Sequence, residues 1–341
     1  MIADAIRKIV DRHDLDRDTM YRVFCDVMDG RTSDAQKAAL LVALRMKGET
    51  PEEITGAALA MRERVTPLAN DGLTLVDTCG TGGDGRGTFN ISTVAAFVAA
   101  GAGAHVAKHG NRAVSSSCGS ADLLAALGVN LDLDAARASD VLRRVGIAFL
   151  FAPKLHPAMG AVASVRRELG VRTIFNVLGP LTNPAFAKRQ VLGVYSDHLV
   201  EVVARVLLAL GCEHAMVVRS EDGLDEISVS APTHVAEVRD GRIHTYILHA
   251  QDLGLPRHDL DLLAGGDSLH NAAVARSVLR GEEGARRDVV LANAGAALYV
   301  AGLARTLRDG VDAARAALTN GSAQSKLDEL VRTTNELAEA K

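Results

Sequence analysis

The chain has 341 residues, 48% of them hydrophobic and 23% charged, with 38 Lys and Arg against 42 Asp and Glu for a formal net charge of −4. That length holds two or three domains, or one large α/β unit with a smaller companion, and buries a core without staples. The mild acidity, with 3% aromatics and no Trp, argues against nucleic acid as a partner, because neither a basic stripe nor a base-stacking surface is written here.

The N-terminal run MIADAIRKIVDRHDLDRD is charged throughout and lacks the apolar core of a signal peptide. No apolar run nears the ~18 residues of a membrane span. Cys25, Cys79, Cys118 and Cys212 form no Cys-x-x-Cys pair, so no zinc ribbon or dithiol redox motif is expected and the thiols read as reduced. A cytoplasmic protein without a membrane partner is expected.

Taken in chain order, the first 66 residues read as helices. Ser33 to Gln36 and Thr50 to Glu53 are capping boxes, the second with Pro51 at the first helical position. Ile54, Ala57, Ala58, Met61 and Val65 then repeat at helical spacing. Thr66-Pro67 and Asn70-Asp71-Gly72 end this unit. Beyond it, short apolar runs alternate with helical stretches: strands at Leu73–Val76, His105–Ala107, Ala148–Phe151, Gln190–Tyr195 and His214–Val218, with helices at Ile91–Ala100 and Ala121–Leu127 among those between them. That alternation predicts a mostly parallel sheet covered by helices. Thr233–Arg239 and Arg242–Leu248 flank Asp240-Gly241, a hairpin signal. The tail from Ser268 is helical, with stretches at 269–280 and 289–305.

Three elements carry chemistry. The first is DTCGTGGDGRGTFNIST at 77–93, with five glycines between positions 80 and 87, set between a strand and a helix. Glycines free successive N–H groups to converge on an anion, and the helix adds its N-terminal dipole. Gly80-x-Gly82-x-x-Gly85 matches a dinucleotide fingerprint, but the next strand leads into Lys108-His109 where an acidic ribose acceptor belongs. A Walker A loop needs Gly-Lys, and the chain has no such dipeptide. The second element, Lys108 to Ser116, offers two permanent cations, an amide and hydroxyls to the same crevice. The third is Asp222-Gly223-Leu224-Asp225-Glu226, where adjacent carboxylates after a strand suit Mg²⁺. A polyanionic phosphate ligand is the reading, and these residues alone leave its identity open.

At these elements the sequence resembles the anthranilate phosphoribosyltransferase family. The resembling runs are DTCGTGGDGRGTFNIST at 77–93, KHGNRAVSS at 108–116, GSAD at 119–122 and GLDE at 223–226. SDAQKAALLVALRMKGETPEEI at 33–54 and HPAMGAVASVRRELGVRTIFNVLGPLTNP at 156–184 extend the likeness over nearly the whole chain. The resemblance implies the α/β class: a small all-helical N-terminal domain (1–70, with part of 156–180 packing on it) and a larger domain (71–341) with a mostly parallel central sheet. This is the architecture shared with nucleoside phosphorylases. It implies a homodimer, and transfer of the phosphoribosyl group of 5-phosphoribosyl diphosphate (PRPP) to the amine of anthranilate in tryptophan biosynthesis. A relative using another aromatic acceptor is the alternative.

Family roles carry over residue by residue. Gly80, Gly83, Asp84, Thr88, Asn90, Ile91, Ser92 and Thr93 match PRPP-binding positions. So do Lys108, His109, Gly110, Asn111, Arg112, Ala113, Val114, Ser115, Ser116 and Ser120. Gly80, Asn111 and Arg166 match anthranilate-binding positions, with His109 in the same region. Ser92, Asp225 and Glu226 match Mg²⁺ positions, with two ions expected per site. Ser117 stands where the family often carries a basic residue. No general base is assigned: the arylamine is neutral at pH 7, and Lys108 with Mg²⁺ is expected to stabilise the departing diphosphate.

Overall fold

Both capping boxes form. Ser33 Oγ accepts from Gln36 N (3.3 Å) and Gln36 Oε1 from Ser33 N (3.1 Å). Thr50 and Glu53 exchange the same pair of bonds at 3.3 and 2.9 Å. They open the third and fourth of four N-terminal helices: α1 (Ile2–Val10), α2 (Arg17–Met28), α3 (Asp34–Lys47) and α4 (Pro51–Arg62). The computed structural model describes residues 1–113 and 117–339. Glu53 is fully buried, and its carboxylate also receives Leu15 N and Lys47 Nζ, both at 3.0 Å.

The rest of the chain alternates as β1 (Leu75–Asp77), α5 (Ile91–Gly101), β2 (His105–Gly110), α6 (Ser120–Ala126), α7 (Ala135–Val145) and β3 (Ile147–Phe151). Then come α8 (Ala152–Leu155), α9 (Gly160–Leu169), α10 (Phe175–Leu178), β4 (Arg189–Gly193), α11 (Leu199–Ala209) and β5 (His214–Ser220). The hairpin β6 (Thr233–Arg239) and β7 (Arg242–Leu248) follows, and α12 (Ser268–Leu279), α13 (Ala285–Ala301), α14 (Leu307–Thr319) and α15 (Ser322–Glu339) close the chain. The seven strands lie in the order β3-β2-β1-β4-β5-β6-β7. β1 to β5 are mutually parallel; β6 and β7 run antiparallel, joined where Asp240 and Gly241 take φ of 52° and 71°.

The sheet divides two apolar cores. Met216 and Val218 join the core under α5 and α13, whereas Ala215 and Val217, one residue out of phase along the same strand, join the core of the helical unit. Phe175 on α10 enters that second core, its ring centroid 5.6 Å from Phe24 on α2. The helical unit is thus continuous with α9 to α11 and one face of the sheet.

Several expected boundaries shift by one or two residues, and those of β2 and α13 shift further, α13 beginning at Ala285 where 289 was expected. β2 runs on through Lys108, His109 and Gly110, because β3 offers partners at Phe149, Leu150 and Phe151. α13 stops at Ala301, four residues short of the expected end, because Gly302 takes a left-handed φ of 80° and caps it. Among the described residues, no helix is long and apolar enough to cross a membrane.

Candidate active site

The chain leaves β1 for β2 and β3 on one side, then returns to place β4 and β5 on the other. β1 is therefore the topological switch point, where adjacent loops diverge and leave a crevice at the carboxyl ends of the strands. The glycine loop starts there. Asp77, the last residue of β1, is fully buried and staples the crevice floor: Oδ1 accepts from Cys79 N (3.0 Å) and His109 N (3.2 Å), and Oδ2 from Asn183 Nδ2 (2.7 Å). Burial raises this carboxyl to about 6, opposed by nearby Lys108.

Gly82, Gly83, Gly85 and Gly87 all take positive φ, between 63° and 76°, so the loop needs its glycines for backbone shape. Gly80 and Gly193 serve close approach instead. A Cβ on Gly80 would lie 3.0 Å from Gly193 O and 3.4 Å from Asp225 Oδ2, and one on Gly193 only 1.5 Å from Asp225 O. Thr81 N donates to Gly193 O at 2.8 Å. The end of β4 is thus sandwiched between the glycine loop and the acidic loop, a role for Gly193 that sequence reading missed because only the fold brings the three segments together.

Lys108 is 3% exposed. Its Nζ donates to Thr78 O (3.2 Å), Thr78 Oγ1 (3.1 Å) and Ser92 Oγ (3.5 Å), and among the described residues it forms no ion pair. Ser92 N, in the first turn of α5, donates to Glu226 Oε1 at 3.1 Å. One ammonium, one helix N-terminus and one carboxylate from three separate elements meet at this point. Burial pushes the carboxyl of Asp225 well up, reinforced by the charge of Asp84; burial and then Asp225 do the same to Glu226. Carboxylates so crowded favour either a proton or a cation. The buried amide and carbonyl of Asn293 fix the following residue, accepting from Ile227 N (3.0 Å) and donating to Ile227 O (2.9 Å).

The hard oxygen donors of Asp225, Glu226 and Ser92 suit Mg²⁺. No group of three or more His, Cys, Asp or Glu side chains that could hold a metal occurs among the described residues. An ion completed by substrate phosphate and water fits such a partial set.

The second loop is organised by Asp122, which accepts from Arg112 Nη1 (2.9 Å), Ala113 N (2.9 Å) and Gly119 N (3.0 Å). Asn111 O receives Ser120 Oγ (3.2 Å) and Ala121 N (3.1 Å), and Gly110 leaves room for both Ser120 and the Phe149 ring, which a Cβ would approach to 2.3 and 2.6 Å. Asn90 joins this loop to the first through Cys118 O (3.0 Å) and is itself held by Asn271 Nδ2 (3.0 Å). Thr88 bridges to Ala264, while Ile91 and Thr93 are buried in α5. Val114, Ser115 and Ser116 lie outside the described residues.

His109 and Arg166 are held by other partners. His109 is buried, with Nδ1 3.1 Å from Gly179 O and Nε2 3.0 Å from His156 Nε2. A carbonyl only accepts, so Nδ1 carries the hydrogen, and His109 Nε2 accepts from His156 Nε2–H. Burial lowers His109 to about 3 and His156 to about 4, so both rings are neutral near pH 7. Arg166 is half-buried on α9; its guanidinium rests 5.2 Å over the Phe175 ring and shares no hydrogen bond or ion pair with any residue described. Burial raises the thiols of Cys79 and Cys118, so neither is a ready nucleophile.

Comparison with known proteins finds relatives over nearly the whole chain. The family model "Glycosyl transferase family, a/b domain" matches residues 72–324, and "Glycosyl transferase family, helical bundle domain" matches residues 3–65. The anthranilate phosphoribosyltransferase of Anaeromyxobacter sp. (strain K) is 57% identical over 334 residues, covering 98% of this chain and 99% of that protein. That of Pelotomaculum thermopropionicum is 52% identical over 338 residues, covering 99% and 98%. Among solved structures, the enzyme of that name from Thermus thermophilus superposes with a TM-score of 0.92 at 46% identity, covering 97% of this chain and 99% of the other. The Saccharomyces cerevisiae enzyme in complex with PRPP and Mg superposes with a TM-score of 0.90 at 26% identity, covering 98% of each.

Proposed function

Starting from the fact that the chain belongs to the anthranilate phosphoribosyltransferase family, we propose how its own residues divide the work of that reaction. The reaction belongs to tryptophan biosynthesis. The bond between ribosyl C1 and the diphosphate oxygen of PRPP breaks, a bond from C1 to the amine nitrogen of anthranilate forms, and the amine gives up one proton. The observation that carries the assignment is the meeting of Lys108, the N-terminus of α5 and the Asp225–Glu226 pair at the switch point of the sheet.

The backbone N–H groups of residues 80–88, with Asn90 to Thr93 and the second loop from Lys108 to Ser120, bind PRPP. Lys108, itself buried, keeps its ammonium where charge builds on the leaving diphosphate. Asp225, Glu226 and Ser92 hold Mg²⁺, two ions in all with the help of substrate oxygens. When bound, Mg²⁺ supplies positive charge to the diphosphate. Arg166 has no carboxylate of its own and offers its planar fork to that of anthranilate. Gly80 and Asn111 line the acceptor side, with His109 behind them. The arylamine is neutral at pH 7 and needs no strong base, which suits a histidine pair whose facing nitrogens are already engaged with each other.

The same reading makes the protein a cytoplasmic homodimer. Four free cysteines support the first point. Exposed apolar side chains on and beside α1 and α3 support the second: Met1 at 57%, Val10 at 63% and Met46 at 68%. Sedimentation of the 35.9-kDa chain tests the assembly, and a single monomeric species at micromolar concentration refutes it. Product analysis with PRPP, Mg²⁺ and a panel of aromatic amines tests the chemistry. The expected product is N-(5-phosphoribosyl)anthranilate, and preferred use of another amine would move the acceptor assignment.

A further inference from the structure

Arg172 lies in the connection between α9 and α10, inside the 156–184 run but with no role assigned to it above. Its Nη2 donates to Gly83 O at 2.6 Å, in the middle of the glycine loop. Its guanidinium lies 4.6 Å over the Tyr195 ring and 3.8 Å from where a Gly83 Cβ would stand. It forms no ion pair among the described residues, so its charge is not spent on a carboxylate.

Tyr195 belongs to the same arrangement. It follows β4, and its backbone N donates to Thr81 Oγ1 at 3.1 Å. One end of the glycine loop is therefore tied to β4 through Thr81, and its middle to the α9–α10 connection through Arg172. Arg45 of α3 and Glu49 beyond it stand near enough to act electrostatically on the Tyr195 hydroxyl, so the helical unit reaches this seam as well. The far end of the loop is held separately, by the Thr88–Ala264 bridge and by Gly265 N donating to Gly87 O (2.9 Å).

Between those two anchors, a Cβ added at Gly82 or Gly85 would meet nothing within 4 Å, and one at Gly83 would have the Arg172 guanidinium as its nearest neighbour. The glycines at positive φ carry no side chains of their own; within the loop Asp84 Oδ1 accepts from Arg86 N (3.1 Å) and the Arg86 side chain lies against Gly223, and Arg172 is the side chain that reaches Gly83 O from outside. The geometry points to Arg172 as a positioning residue for PRPP: held over Tyr195, it fixes the Gly82–Asp84 arc so that its N–H groups are set before the ligand arrives. This inference rests on the PRPP reading of the loop. Pre-ordering a loop lowers the entropy lost on binding and acts on affinity, with little effect on the chemical step.

The test uses the full-length protein with Arg172→Ala and Arg172→Lys. Each is measured for steady-state kinetics with either substrate varied, and for backbone hydrogen exchange over residues 80–87 with and without PRPP and Mg²⁺. Arg172→Ala is expected to raise KM for PRPP about tenfold, the size of one lost charge-assisted hydrogen bond. It should leave kcat and KM for anthranilate within about twofold, and speed exchange over 80–87 in the free protein. Arg172→Lys, which keeps a donor and loses the stacked plane, is expected to recover part of the KM and part of the protection. An unchanged KM for PRPP, unchanged exchange, or an equal rise in both KM values would overturn the proposal. Should the wild type make no product from PRPP and anthranilate, the functional reading fails by itself. The exchange comparison and calorimetric PRPP binding still decide the role of Arg172.

Discussion

At Asp225 and Glu226 the protein holds two carboxylates in a setting that favours neither as an anion when no cation is present. Replacing them, Asp225→Asn with Glu226→Gln, is expected to remove most turnover while the free protein melts at an equal or higher temperature at pH 8, since a buried like-charge repulsion has gone. Assay beside thermal melting checks both halves, and retained turnover would end the metal role. Arg166→Ala is expected to weaken anthranilate use ten- to a hundredfold, from roughly 1.5–3 kcal/mol for a charge-assisted bond, with PRPP binding changed much less. Equal loss for both substrates, read by titration, would make Arg166 a packing residue over Phe175. His156 gives a pH signature. Unfolded, it takes up a proton below about pH 6.5; folded, only near 4. The unfolded state thus binds more protons in that window, and stability falls as the pH drops through it. His156→Gln keeps an N–H for His109 but cannot titrate, so it should lose about 2 kcal/mol less than wild type between pH 7 and 5. Parallel urea-unfolding profiles for the two proteins would show that this histidine is not held neutral.

Elements set the site through their ends more than through their bodies. β1 stops at Asp77, whose carboxylate then ties together Cys79, His109 and Asn183. α5 begins under the glycine loop, so its first N–H groups are available to Glu226 and to an anion. β4 ends at Gly193, where a methyl group would sit 1.5 Å from Asp225 O. Backbone on both sides leaves no soft atom to move, so Gly193→Ala is expected to destabilise the fold by more than about 2 kcal/mol and to displace the acidic loop. Chemical denaturation and Mg²⁺ titration of residual activity measure the two effects; an unaltered variant would mean that the two backbones do not approach so closely. The capping boxes were legible because their bonds are local. The far ends of β2 and α13 were not: β3 supplies partners that carry β2 through a lysine and a histidine, and Gly302 ends α13 inside what reads as one apolar run.

On the scale of the whole molecule, the crevice lies between loops from β1, β2 and β5, while Arg166 and Arg172 come from the α9–α10 segment, which is continuous with the helical core. A ligand that bridges these parts stabilises the arrangement as a unit. PRPP with Mg²⁺ at a hundred times its dissociation constant contributes about 2.7 kcal/mol, so melting should shift upward by several degrees, and chelation of the metal should cancel most of the gain. A shift that survives thorough chelation would mean that PRPP is held by the loops alone.

The capping boxes at Ser33 and Thr50, the hairpin at Asp240-Gly241, the glycine loop and the Asp225–Glu226 pair were all determined by the sequence itself, because each rests on residues within a few positions of one another. The tertiary structure alone decided what those residues face. It buried His109 against His156, 47 positions away, and brought Gly193 under Asp225 and Arg172 onto Gly83. Contacts across such separations leave no local periodicity or spacing to read: they depend on strand order and on how closely two backbones can pass, which is settled only when the sheet is assembled.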